Sequence, residues 1–324
     1  MKIYIVDNKY RSNLNSPDIP PDVQILLAAE EDFAEIEYVV DGRMTKQHFD
    51  KMPKLKAVAI PFAGVNRMDL AQARKRGVKV VNTHIHSCFV AEKAVCLTMA
   101  LLGKTLAYHL NMKSGDWSAR NDPVNRVKWD SLSGKRIGIY GYGHIGRYIH
   151  KLLSPFGCEF YAIDRGEQFA GINPVEDLYQ LSKACDILFV CVPISDETYG
   201  AVDKEILANL ANKYLINVAR GDIIVEEDLY NALNNEQLKG FASDVWYNYP
   251  VNENSSCLPS RFPIHQCDNV ILSPHSATAT YDAHRLMFND AVNKLIKLNR
   301  GDNVKLINLE AGILTDNSNV AALG

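Results

Sequence analysis

Short apolar runs alternate with longer stretches of helical period along most of the chain. In the first part, Ile3–Val6, Ile36–Val40, Ala57–Ile60 and Val78–Val81 predict strands. A helix over Met68–Arg76 ends at Gly77. Cys88–Gly103 is apolar nearly all round, with Glu92 and Lys93 its charged pair. It predicts a helix buried on most faces, between domains or subunits. The stretch Lys113–Ser133 is polar and contains Gly and Pro, which predicts a surface connection. A second block opens at Lys135, with strands over Arg136–Tyr140, Glu159–Ile163, Asp186–Val192, Tyr214–Val218, Gly240–Ser243 and Val270–Leu272. Helices fit between them over Ile145–Phe156, Asp203–Leu210 and Glu226–Asn234, and another runs over Thr280–Asn299 to stop at Arg300-Gly301. Alternation of this kind predicts βαβ units and parallel sheets. The six strands of the second block, joined by right-handed crossovers, make a doubly wound nucleotide-binding sheet. Thr315–Gly324 carry no such pattern and are expected to be mobile.

A chain of 324 residues is long enough for two domains with a core each. The net charge of −3 gives no electrostatic reason to expect nucleic acid or a membrane surface as partner. The longest apolar stretch, within Ala94–Gly103, is ten residues, half of the roughly 20 that a bilayer span needs. The N-terminus lacks the apolar core of a signal peptide. Seven Cys, an odd number with no CxxC pair, fit reduced thiols rather than a disulfide framework. These features together predict a soluble cytoplasmic protein, and no His spacing suggests a metal site.

Candidate chemistry begins at Gly141-Tyr-Gly143-His144-Ile145-Gly146. A GxGxxG alone is a weak signal, but this one follows a predicted strand and opens a predicted helix. Gly141 then permits the tight turn, Gly143 lets a pyrophosphate approach the backbone, and Gly146 lets helix and strand pack closely. The next strand ends at Asp164, eighteen residues past Gly146, where a carboxylate can take the adenine ribose hydroxyls and repel a 2′-phosphate. NAD is therefore the expected cofactor, although Arg165 beside it is a residue type that accepts a 2′-phosphate.

Ligands of an open α/β sheet bind beyond the carboxyl ends of its strands. Three segments lie there: Val192-Pro193, Asn217-Val-Ala-Arg220-Gly221 and Leu272-Ser-Pro-His275-Ser276. An arginine that holds a carboxylate bidentately and a histidine that titrates near neutrality suit reduction of a 2-keto acid. Spacing alone leaves other readings open: His275 as a strand-end histidine bonded to backbone, Arg220 as a loop cap, and Trp246, Tyr247 and Tyr249 as plain packing.

Leu132-Ser-Gly-Lys-Arg-Ile-Gly-Ile-Tyr-Gly-Tyr-Gly-His-Ile-Gly146, Cys191-Val-Pro193, Asn217-Val-Ala-Arg-Gly221, Ser243-Asp-Val245 and Ser273-Pro-His275 resemble, in order and spacing, the successive signatures of the D-2-hydroxyacid dehydrogenases. The likeness is strongest from Leu132 to His275 and loose over the first hundred residues. It implies that Arg220 binds the substrate carboxylate and keto oxygen and that His275 is the general acid/base. It implies backbone N–H groups of His144 and Ile145 on the pyrophosphate, Asp244 on the nicotinamide carboxamide, and Val192, Pro193, Thr198, Val218 and Ser276 lining the cofactor cleft. Phe62-Ala63-Gly64-Val65-Asn66 resembles the family's substrate loop, and Phe89-Val-Ala-Glu92 the start of its dimer-interface helix. The implied fold is α/β, with a Rossmann NAD-binding domain over 87–285 inserted into a flavodoxin-like substrate domain made of 1–86 and 286–324. Residues 87–104 would be the dimerisation helix and a homodimer the assembly. The implied reaction is NAD-linked reduction of a small 2-keto acid, with glyoxylate or hydroxypyruvate, giving glycolate or D-glycerate, as the first expectation.

One position departs from the family. Five residues after Asp244, where a glutamate normally precedes a proline and pairs with the histidine, stands Tyr249. A tyrosine is uncharged at neutral pH, so His275 is expected to stay protonated only at lower pH than in glutamate-bearing relatives. The departure also admits two lesser readings. One is an NAD(H)-sensing protein like the corepressors of this fold, which generally keep the glutamate. The other is the formate dehydrogenase branch, which lacks it but has glutamine at the Tyr249 position and asparagine where Lys104 stands.

Overall fold

The structure, a computed structural model, describes residues 1–6, 19–65, 67–121, 128–166, 169–252, 254–307 and 309; Asn66 and the segment Thr315–Gly324 lie outside these. The Cα positions divide the chain into two compact units. One is Met1–His86 with the chain from Thr278, and the other is Ser87–Ala277.

The first unit holds strands β1 (Lys2–Ile5), β2 (Gln24–Leu27), β3 (Tyr38–Val40), β4 (Ala57–Ile60) and β5 (Lys79–Asn82), with helices α1 (Lys46–Lys51) and α2 (Leu70–Lys75) between them. They form a parallel sheet in the order β2-β1-β3-β4-β5, the flavodoxin-like arrangement. Both faces are buried, which is why the strands read as unbroken apolar runs. One face packs on Phe288, Val292 and Leu295 of a long C-terminal helix, and the other on Phe49, Met52 and Ala73.

The second unit begins with α3 (Ser87–Leu102) and α4 (Thr105–Lys113). There follow β6 (Arg136–Tyr140), α5 (His144–Leu153), β7 (Glu159–Ile163), β8 (Ile172–Val175), α6 (Leu178–Ala184), β9 (Ile187–Val190), α7 (Lys204–Asn209), β10 (Tyr214–Asn217), α8 (Glu226–Asn234), β11 (Gly240–Ser243) and β12 (Val270–Leu272). The C-terminal helix of the first unit is α9 (Ala283–Arg300). The strands of the second unit form one parallel sheet, β12-β11-β10-β9-β6-β7-β8. The strand order reverses between β6 and β9, the place where doubly wound sheets bind ligands. α3 and α5 cover one face through Ala94, Leu97, Leu101, Ile149 and Leu153; Leu181, Leu207, Leu229 and Leu233 of α6, α7 and α8 cover the other. α3 reaches its sheet because Gly240 has no side chain: a Cβ there would stand 2.9 Å from Leu101 Cδ1.

Two strands escape the apolar pattern. β2 sits at a sheet edge with a mixed burial pattern. β8, Ile-Asn-Pro-Val at the other sheet's edge, contains a proline that a central strand would not tolerate. The second sheet therefore has seven strands rather than six. The short helices α1 and α6 and the wholly unburied α4, which lacks a core-facing apolar stripe, carry no clear helical period in the sequence. Among the described residues, no helix is long and apolar enough to cross a membrane.

Candidate active site

The carboxyl edge of the second sheet gathers the candidate residues on neighbouring strand ends. After β6, Gly141 takes φ +102°, and a Cβ on it would come within 2.7–2.8 Å of Val192 N, Cys191 C and Val192 Cγ1. The turn therefore touches the end of β9 through bare backbone. Gly146 is equally confined, since its Cβ would be 2.7 Å from Gly141 O and from Ile139 Cγ2. Gly143 is the opposite case: nothing lies within 4 Å of a Cβ built there. It is the N-cap of α5, and no side-chain hydrogen bond caps the helix start that His144 and Ile145 open. A confined turn, an open glycine and an uncapped helix start fit a dinucleotide pyrophosphate.

Asp164 stands just past β7, exposed, and its Oδ1 accepts the Gly166 N–H at 2.8 Å. That bond holds the carboxylate at the strand end, with the exposed Arg165 next to it. Val192 and Val218 are buried at the ends of β9 and β10, and Pro193 is exposed beside them. Thr198 is buried too. Its hydroxyl donates to Pro193 O at 2.7 Å and accepts from Ser195 N at 2.8 Å, so it shapes the loop that carries Pro193.

Past β10 the chain turns on the buried Asn217. Its side-chain amide donates to Arg220 O at 2.9 Å, and its oxygen accepts the Ala219 N–H at 3.0 Å. The turn leaves the Arg220 side chain exposed, with Nη1 donating to Ala219 O at 2.7 Å. Gly221 then packs so tightly on Trp246 that a Cβ would come within 2.5 Å of its carbonyl.

His275 follows β12 with φ +54°. A left-handed conformation at a non-glycine residue costs about 1–3 kcal/mol and persists only where the surroundings impose it. Here they do. His275 N donates to Ser273 O at 3.0 Å across Pro274. The buried Asp244 carboxylate accepts Ser276 N and Ala277 N, both at 2.9 Å, and the Ser273 hydroxyl. Asp244 thus grips the residues on both sides of His275. The ring is held as well: Nδ1 lies 3.1 Å from Tyr249 Oη, which also accepts the Trp246 N–H at 3.0 Å.

Enclosure by these groups pushes the His275 ring below its ordinary pKa, and the Arg220 charge adds to this against the opposing pull of Asp244. Burial raises the Tyr249 phenol, opposed by the Trp246 N–H and the Arg220 charge. Both directions favour a neutral imidazole beside a protonated phenol. The phenol oxygen can then donate to a bare Nδ1, or accept from Nδ1–H when the ring is charged.

In the first unit, residues 61–65 follow β4. Phe62, Ala63 and Gly64 are half-buried and Val65 is buried. The Phe62 ring lies over Gly42, where a Cβ would come 2.0 Å from its Cζ. Asn82 Nδ2 at the end of β5 donates to Ala63 O at 2.8 Å and pins the loop. In turn Lys294 Nζ on α9 donates to Asn82 O at 2.7 Å, and Asp290 holds both Lys294 and the Thr83 hydroxyl.

Arg220, Tyr249, Asp244, His275 and Ser276 thus come together around one loop after β11, while Phe62–Val65 belong to the other unit. Asn217 and Ser273 sit inside the sequence motifs without a mark of their roles, and nothing in the sequence marks Asn82. The indole contact of Trp246, where packing was one open reading, is hidden because its acceptor is 27 positions away in the chain.

The family described as D-isomer specific 2-hydroxyacid dehydrogenase, NAD binding domain, matches residues 95–277. A glyoxylate reductase of Thermofilum pendens is 31% identical over 89% of this chain and 84% of its own length. A glyoxylate/hydroxypyruvate reductase of Arabidopsis thaliana is 32% identical over 75% of this chain and 73% of its own. Among solved structures, the D-lactate dehydrogenase of Lactobacillus jensenii with NAD+ aligns over 95% of this chain and 99% of that one, with a TM-score of 0.80 at 22% identity, a likeness of fold.

Proposed function

The chain belongs to the D-isomer specific 2-hydroxyacid dehydrogenases, NAD-linked oxidoreductases, and from that premise we propose that it reduces a small 2-keto acid, glyoxylate or hydroxypyruvate, with Arg220 and His275 as the reacting pair. The observation that carries this reading is the double restraint on His275, whose backbone is gripped through Asp244 and whose ring is met by Tyr249 beside the Arg220 turn. Restraint of a strained histidine on an exposed strand end suits a group that must meet a substrate atom.

When bound, the reduced nicotinamide supplies the hydride. The Arg220 guanidinium holds the substrate carboxylate and draws charge from the keto oxygen. His275 holds a proton at Nε2, hydrogen-bonds the same oxygen and releases the proton to it as negative charge develops. Its Nδ1–H then donates to Tyr249 Oη, which keeps the ring aimed. In the reverse direction the tautomer protonated at Nδ1 accepts the hydroxyl proton at Nε2.

Val192, Pro193, Val218 and Ser276 line the cofactor cleft, with Thr198 acting through the shape of its loop. Asp244 keeps lone-pair capacity for the nicotinamide carboxamide beside the turn it holds. Asp164 selects NAD over NADP. The loop Phe62–Val65 offers its N–H groups to the substrate carboxylate, so the unit Met1–His86 with the chain from Thr278 is the substrate domain. The assembly is a cytoplasmic homodimer that buries the exposed apolar side chains of α3 and α4.

The test is NADH oxidation by the purified protein against a panel of 2-keto acids, with NADPH and formate/NAD as controls and Arg220→Ala as the blank. Turnover of glyoxylate or hydroxypyruvate that Arg220→Ala loses is the expected result. Tight NADH binding without turnover of any keto acid would overturn it.

A further inference from the structure

Trp246 is 6% exposed, and its ring meets Phe241 of β11 edge-on at 6.2 Å, so it has one place to be. From there it makes three contacts that packing does not require. Its indole Nε1 donates at 2.7 Å to Ser273 O, the same carbonyl that accepts the His275 N–H. Its backbone N–H donates at 3.0 Å to Tyr249 Oη, the oxygen that faces His275 Nδ1. Its own carbonyl abuts Gly221, next to Arg220, closely enough to exclude any side chain there. One residue thereby touches the turn that carries His275, the group that meets its ring, and the turn that carries Arg220.

We propose that Trp246 is a positioning residue for proton transfer: it fixes His275 in backbone and in ring orientation and sets its register to Arg220, without touching either reactant. The proposal rests on Arg220 and His275 being the reacting pair. Asp244 holds the side chain of Ser273 and the N–H groups of Ser276 and Ala277, but the Ser273 carbonyl, which accepts the His275 N–H, is fixed by the indole N–H, whose ring is itself wedged against Phe241. Loosening it tilts the imidazole away from Tyr249 into solvent, and relieves the enclosure that disfavours the charged ring. The groups that face the ring and govern that balance are Arg220, Asp244 and Tyr249.

Trp246→Phe keeps an aromatic ring and the backbone N–H but deletes the indole donor. The expected result is a ten- to hundredfold loss of kcat for glyoxylate, with glyoxylate KM and NADH Kd within twofold of the parent. The alkaline limb of the kcat–pH profile should also move to higher pH. If that variant does not fold, site-specific replacement of Trp246 by 3-benzothienylalanine, which has the indole shape without the N–H, carries the same expectation. An unchanged kcat and pH limb with only a lowered melting temperature would make Trp246 a packing residue and overturn the proposal. So would a raised KM or NADH Kd with kcat intact. A His275→Gln or Arg220→Ala protein with parental kcat would instead refute the assignment of the reacting pair, and can be scored separately.

Discussion

At the scale of single residues, the chemistry turns on which atom carries a proton. With a carboxylate against Nδ1, the imidazolium would be stabilised; with the neutral phenol of Tyr249, Asp244 is the group that opposes the Arg220 charge. His275 is lowered, so its protonated form predominates only below that lowered pKa. Reduction, which needs the proton, should therefore fall as pH rises through it. Tyr249→Glu should move this limb upward by about one pH unit or more, measured as kcat for glyoxylate reduction against pH. A parent limb already well above neutrality would contradict the account. The two glycines of the phosphate turn make a second contrast. Gly143→Ala adds a Cβ with no protein atom within 4 Å, so the melting temperature should hold while the NADH Kd rises by about tenfold or more. Gly141→Ala must strain a left-handed backbone against Val192, so stability and NADH binding should fall together.

At the scale of elements, α9 acts on a loop it does not adjoin in sequence. Asp290 and Lys294, one helical turn apart, hold Thr83 and Asn82 at the end of β5, and Asn82 holds Ala63. Asn82→Ala should raise the KM for the keto acid severalfold and leave the NADH Kd unchanged, as read by steady-state kinetics and NADH fluorescence titration. Asp290→Ala removes the shared acceptor and should lower the unfolding free energy by about 1 kcal/mol in urea melts. The strands that carry this unit's core were legible as apolar runs. The polar relay was not, because Asn82 and Ala63 lie 19 positions apart and Asn82 and Lys294 lie 212 apart. Edge strands β2 and β8 were missed for a related reason: an edge needs neither full burial nor every N–H.

At the scale of the whole molecule, exposed apolar side chains concentrate on and after α3. Met99, Leu106, Leu110, Met112, Trp117 and Trp129 are each at least 45% exposed, and Tyr108, Trp117 and Trp129 line a cavity of about 420 Å³. An apolar surface of this kind marks an interaction site. Light scattering should give a particle of twice the 36.2 kDa chain mass, and Leu106→Glu with Leu110→Glu should halve it. A parent protein that runs as a monomer at micromolar concentration would refute the dimer.

By itself the sequence determined the class of fold and singled out the candidate places for its chemistry. Apolar runs buried on both faces must become parallel strands. A glycine turn between strand and helix points to a phosphate site, and Arg220 and His275 fall at strand ends by counting. These are local consequences, settled within about twenty residues. Only the tertiary structure decided how His275 is held. Its left-handed turn is bonded by Asp244 and Trp246 and its ring is met by Tyr249, all 26–31 positions away, brought beside it because β11 and β12 pair in parallel. A hydrogen bond between distant positions leaves no periodic mark on a single chain, so the residues that hold a candidate catalytic group become visible only when the sheet has closed around it.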